Sequence, residues 1–396
     1  MESTPRSETT RRVSLLQRLL AEEGLALALI RQAADLFYYT GTLADGFLAV
    51  APDVTPQLLV RRPLARVKGQ VPWPVLGYRD LKELPGLLRE AGFTAPGPVG
   101  LELDVMPAAL YLQMKERFFP SRPVLDLSPL IRRQRMIKSA YEIDQLKRAA
   151  AILDETFTEV PGLLKPGVTE LELAAALENR LRLLGHQGLV RVRQWNLEQF
   201  YGHVMSGLSG LEGAYMDTPS GGLGFSPAFP QGASFKKLAP GEPISVDLVA
   251  CLNGYMVDMT RMYAIQYLPP KAWEAYRLVE ELYGIFEAQT RPGAECGPLF
   301  HHLWDAVRTR GWQTWFMGQA PDQVKFLAHG VGLELDEYPV LAARFPYPLE
   351  ADMVMAFEPK FFLPDIGMIG QEDTCRLTPD GMVWLTQTPR EVVVVD

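Results

Sequence analysis

The stretch that most limits what this chain can become is residues 243–261, PISVDLVACLNGYMVDMTR. Two apolar, β-prone runs flank Asn253-Gly254, a dipeptide that tolerates positive φ and so signals a two-residue hairpin. Asp247 lies six residues before Asn253, and Asp258 four after Gly254. With a small register offset both carboxylates stand on one face of the ribbon. Two such groups side by side on an apolar strand pair repel, so they either face solvent or need a cation or a proton between them. Three further residues argue for a cation. His329 in HGVGLELDEYP, Glu358 in AFEPKFF and Glu372 in GQEDTCRLT each sit in or beside an apolar, strand-like run. Four carboxylates and one imidazole converging in this way make an oxygen-rich site large enough for two divalent ions.

The order Asp247, Asp258, His329, Glu358, Glu372, in the contexts VDL, DMTR, HGVGLELDE, FEP and ED-T, resembles the pita-bread metallopeptidases. These are methionine aminopeptidase, aminopeptidase P and prolidase, with creatinase as a relative. The spacings of eleven between the two Asp and fourteen between the two Glu match as well. The resemblance extends over most of the chain, since ADLFYYTG and its surroundings are similar to the accessory domain of the creatinase and aminopeptidase P branch. It implies an α/β protein with a creatinase-like N-terminal domain over 1–128 and a pita-bread catalytic domain, α+β with an internal pseudo-twofold, over 129–396. It also implies two divalent ions that activate water. Asp247 and Asp258 would be ligands, Asp258 reaching both ions; His329 and Glu358 would serve the second, and Glu372 would bridge. Glu358 takes the general-base role of its counterpart. Manganese suits the carboxylate majority, with cobalt, iron or zinc as alternatives. A homodimer is expected, with the N-terminal domain of a partner lining the mouth of the site.

Three positions depart from the resembled pattern. A His normally follows the ligand His by seven places; here that place is Asp336, before Glu337. A second His, on the loop before the first Asp, falls on Pro230, and the Arg usual two residues before the last Glu is Gly370. Such histidines steady an oxyanion or protonate a leaving nitrogen, help worth about 100 to 10,000-fold. His203, on the strand leading into that loop, is the candidate substitute, or else a packed strand histidine. Asp336 is a candidate base for a different reaction. Arg191 and Arg193, on one face of a strand, are candidates for the lost positive charge.

The chain is long enough for two domains, at 396 residues. A net charge of −8 argues against nucleic acid or an anionic membrane as partner. The N-terminus is polar, and the apolar run over 25–30 is too short for a signal core or a membrane span, so the cytoplasm is expected. Cys251, Cys296 and Cys375 form no pairing framework, which fits a reducing compartment. Periodicity predicts helices over 11–23, 81–91, 107–117, 137–157, 169–184, 271–289 and 298–310, the fifth opened by a capping box from Thr169 to Glu172. Strands are predicted over 25–30, 47–51, 57–60, 99–101, 188–193 and 199–206, with a linker over 126–135 and a long functional loop over 207–232.

These readings converge on a dinuclear-metal hydrolase of the Xaa-Pro aminopeptidase or dipeptidase type, acting on small peptides. Two alternatives stay open. One is a non-peptidase enzyme of the same fold, a lyase or creatinase-like C–N hydrolase acting on another small molecule with Asp336 as base. The other is a catalytically silent binding protein.

Overall fold

The computed structural model describes residues 3–396; Met1 and Glu2, the start of the polar N-terminus, lie outside the described residues. Contacts divide the chain into two compact units between Arg135 and Met136.

The first unit opens with helix Arg6–Glu22, which buries Val13, Leu16 and Leu20 at helical spacing. Gly24, at φ +66°, ends it: Leu25 N–H donates to Leu20 O and Gly24 N–H to Ala21 O, the bond pair of a Schellman motif. The strands that follow are β1 (Leu27–Ile30), β2 (Asp45–Ala51), β3 (Val54–Arg62), β4 (Val75–Gly77), β5 (Val99–Leu101) and β6 (Val124–Asp126), in the sheet order β4-β3-β2-β1-β5-β6. Strand β1 has neighbours on both edges and reads LALI without alternation, as a strand buried on both faces must.

The stretch over 126–135 is not a linker. After β6 it forms helix Ser128–Met136, with Leu127 and Ile131 fully buried. Pro129 sits in the first turn, where a missing N–H costs nothing, and Arg133 and Arg135 fall in the last turn, where the helix dipole favours cations. Arg135 is itself buried, paired with Asp35 at 2.6 Å.

The second unit begins with helix Ala140–Phe157, capped reciprocally by Ser139 and Glu142, and with helix Glu170–Leu184, whose Thr169–Glu172 box forms as expected. The central sheet is built from β7 (Gly202–Ser206), β8 (Pro243–Leu252), β9 (Tyr255–Ile265), β10 (Phe326–Val331), β11 (Leu335–Ala342), β12 (Val354–Phe357) and, after the separate hairpin β13 (Lys360–Leu363) and β14 (Gly367–Gly370), β15 (Glu372–Thr378). The order is β11-β10-β12-β15-β9-β8-β7. Two short strands, β16 (Gly381–Trp384) and β17 (Val393–Val395), pair with β15 and β9. Helices Pro270–Gln289 and Cys296–Thr309 bury Val279, Leu282, Phe286, Leu303 and Val307 in the main core of this unit, where Phe286 stacks on Phe357 at 4.0 Å.

Residues 188–193 do not form a strand. They meet the sheet edge through a single bridge, Val192 with Leu335, and one bond from Leu335 N–H to Arg191 O at 2.7 Å. Among the described residues no helix is long and apolar enough to cross a membrane.

Candidate metal centre

The Asn253-Gly254 turn closes β8 onto β9 with φ of +50° and +90°, both in the region a tight primed turn requires. That turn fixes the register: Asp247 faces Thr260, and Val249 faces Asp258. The two aspartates are therefore one diagonal step apart on the same face of the sheet. The row continues sideways, because His203 on β7 is opposite Asp247 and Glu372 on β15 is opposite Thr260. Glu358 follows the last residue of β12, and His329 on β10 is opposite Ala356, two residues earlier. Close backbone approach makes this packing possible: a Cβ at Gly202 would lie 2.1 Å from Asp247 O, and one at Gly330 2.4 Å from Tyr338 O.

The seven residues expected to ligate metal or take part in catalysis line one cavity of about 40 Å³: His203, Asp247, Asp258, His329, Asp336, Glu358 and Glu372. Six of them are buried, while the Asp336 side chain is 45% exposed. Met216, Asp217 and Thr218, from the irregular segment over 207–232, also line it. His329 points Nε2 towards Glu372 Oε1 at 3.5 Å and Glu358 Oε1 at 3.7 Å, and its Nδ1 is 3.3 Å from Asp336 Oδ1. Asp258, His329 and Glu372 each offer a ligand atom within 4.8 Å of the others. Asp258 Oδ1 and Glu372 Oε1 are buried without a hydrogen-bond partner among the described residues. Buried carboxylate oxygens in that condition call for a proton or a metal ion.

The positions that departed from the resembled pattern are also accounted for. Next to Pro230, the Gln231 side-chain nitrogen lies 2.7 Å from His203 Nε2, so the loop holds the strand histidine at the cavity wall. Arg191 and Arg193 do not line the cavity, and Arg193 faces Glu334 at 3.5 Å. The positive charge comes instead from Lys360, which sequence reasoning overlooked. Its Nζ donates to Glu358 Oε2 at 2.8 Å, Glu372 Oε2 at 2.9 Å and Asp247 Oδ2 at 3.1 Å. The available signal was a lysine inside the apolar run AFEPKFFL, two residues after Glu358.

The electrostatics follow from burial and this lysine. Burial, then Glu372 and Asp247, push Asp258 well above the usual carboxylate range. Burial also raises Glu358 to about 8, with Glu372 adding to it and Lys360 opposing. Burial acts on Glu372 in the same direction but is outweighed by Lys360 and His329, which hold it at about 2. Burial, opposed by Asp247, lowers the His203 pKa and so favours the neutral imidazole.

A family model described as metallopeptidase family M24 matches residues 144–379, and one described as the creatinase/prolidase N-terminal domain matches residues 12–137. The Xaa-Pro dipeptidase of Pyrococcus furiosus is 24% identical over 96% of this chain and 99% of its own length. The probable dipeptidase PepE of Mycobacterium bovis is 28% identical, over 97% of this chain and 96% of its own. Among solved structures, the X-Pro aminopeptidase from Thermotoga maritima shares the fold with a TM-score of 0.79 at 24% identity, covering 97% of this chain and 99% of that one.

Proposed function

The chain belongs to metallopeptidase family M24, and on that premise we propose that it is a metal-dependent hydrolase of short peptides, an Xaa-Pro aminopeptidase or dipeptidase. One observation carries the reading: Asp258, His329 and Glu372 converge in a buried cavity with two carboxylate oxygens left unpartnered. Two carboxylates and an imidazole suit a hard-to-borderline divalent ion such as manganese. Bound there, the ion would polarise the scissile carbonyl and favour attack by water.

The remaining roles fall to the chain's own groups. Glu358, raised to about 8 by burial and Glu372 against the opposing pull of Lys360, sits beside this set and in its ionised form is the proton acceptor for water. Asp336 acts through His329: 3.3 Å from Nδ1, it orients the imidazole and leaves Nε2 facing Glu358 and Glu372. That makes it a positioning residue rather than a base. His203, held by Gln231, is the second imidazole at the cavity wall and takes the substrate-contacting role of the absent histidines. Met216, Asp217 and Thr218 line the cavity beside these groups, where a bound peptide would meet them.

We also assign the protein to the cytoplasm, on its three buried free cysteines, and to a homodimer, on the resemblance of its N-terminal domain. Manganese-loaded protein should hydrolyse Xaa-Pro peptides from a panel of dipeptides and longer substrates, and Glu358→Gln should lower kcat by about 100 to 10,000-fold. Absence of turnover on every member of the panel would remove the peptidase reading.

A further inference from the structure

Lys360 is 1% exposed, and its three ammonium protons meet three carboxylate oxygens at 2.8, 2.9 and 3.1 Å. An ammonium has no further donor to offer, so its hydrogen bonding is complete. The path of its stem is equally defined. Lys360 and Gly370 are partners across the β13–β14 hairpin, and a Cβ at 370 would lie 2.4 Å from Lys360 Cγ. The lysine therefore fills the volume that a side chain at 370 would take, at the position where the resembled pattern has an arginine.

Asp247, Glu358 and Glu372 each give Lys360 Nζ one oxygen, so the ammonium occupies the point where these three carboxylates meet. A small divalent ion draws carboxylate oxygens to about 2.0–2.2 Å. These oxygens are instead spread around a larger monovalent group at hydrogen-bond distance. A dication and the ammonium cannot share that space, both for lack of room and because like charges repel. Among the described residues Asp258 Oδ1 and Glu372 Oε1 are buried with no hydrogen-bond partner, and His329 Nε2 lies 3.5 Å from the latter, so these three residues are the set best placed to take an ion.

We propose that the Lys360 ammonium is a built-in substitute for one of two metal ions, so that this chain binds one divalent cation, on Asp258, His329 and Glu372, where its sequence motif alone implies two. The proposal rests on the metal-dependent reading of the site and deepens it. One half of a two-cation centre has become covalent, fixed at one charge and independent of metal supply, while the other half remains exchangeable.

Equilibrium dialysis of the full chain against manganese chloride, followed by elemental analysis, tests this. Wild-type protein should saturate at one ion per chain. Lys360→Gly, which removes the ammonium and opens its volume, should gain a second ion, and Asp247→Asn added to it should remove that second ion alone. Saturation of the wild type at two ions, or binding of none, would overturn the proposal even if the Lys360→Gly chain fails to fold. The outcome separates from the peptidase reading. Two ions with Xaa-Pro turnover would refute the lysine substitution and keep the function; one ion without turnover would do the reverse.

Discussion

At the scale of single residues, burial decides which ionisable groups carry charge, and His186 shows the consequence away from the site. Its Nδ1 accepts from Gly188 N–H at 2.9 Å, its ring stacks on Tyr201 with centroids 4.4 Å apart, and burial pushes its pKa down to about 4. In the unfolded chain a histidine titrates near about 6.5. Between those values the unfolded state holds a proton that the native state refuses, so stability falls as pH is lowered through that window. Urea midpoints measured from pH 7 to pH 4.5 should therefore decline, and His186→Phe, which cannot titrate, should flatten the decline; an unchanged slope would exclude His186 as its source. The same scale shows what the sequence made legible. Asp247, Asp258, His329, Glu358 and Glu372 could be read because each stands out as a polar residue in an apolar run at a telling spacing. Lys360 bears the same mark of a polar residue in an apolar run, but its role could not be read, because its destination depends on the space left by Gly370 ten residues later, which only the closed hairpin reveals.

Among elements, the β8–β9 hairpin was the most legible, since its turn chemistry, alternation and register all follow from local sequence. Gly254 has φ of +90°, and an alanine there would be strained by about 1–2 kcal/mol. Gly254→Ala should lower stability by that amount in urea titrations and weaken manganese binding, because Asp258 hangs four residues beyond the turn. A variant as stable as wild type would mean that the turn is not held in this conformation. Helix ends marked by Gly24 and by the Thr169–Glu172 box were equally readable, as both use bonds within a few residues. Two segments were misread for a common reason. Residues 126–135 look like a linker until Leu127 and Ile131 find a core, and residues 188–193 alternate like a strand but, among the described residues, meet the sheet at one isolated bridge, Val192 with Leu335. Tertiary partners settled both against local pattern.

For the whole molecule, the proposed ligands come from strands far apart in sequence, so the site they would form is assembled only once the second unit has folded. An ion that binds the native state alone stabilises it by about 2.7 kcal/mol at a hundred times its Kd, which for a domain of this size is a rise in Tm of several degrees. Chelation should lower Tm in calorimetry by about that much and added manganese should restore it; a Tm indifferent to manganese would show that the folded chain does not bind it. The shift should nonetheless be modest. Lys360 still neutralises part of the four-carboxylate cluster when the ion is gone, so withdrawal of metal leaves a folded protein rather than an unravelled one. A cell short of manganese would keep its full stock of this protein in a dormant form, ready to be charged when the metal returns, so that activity would follow metal availability while abundance stays level.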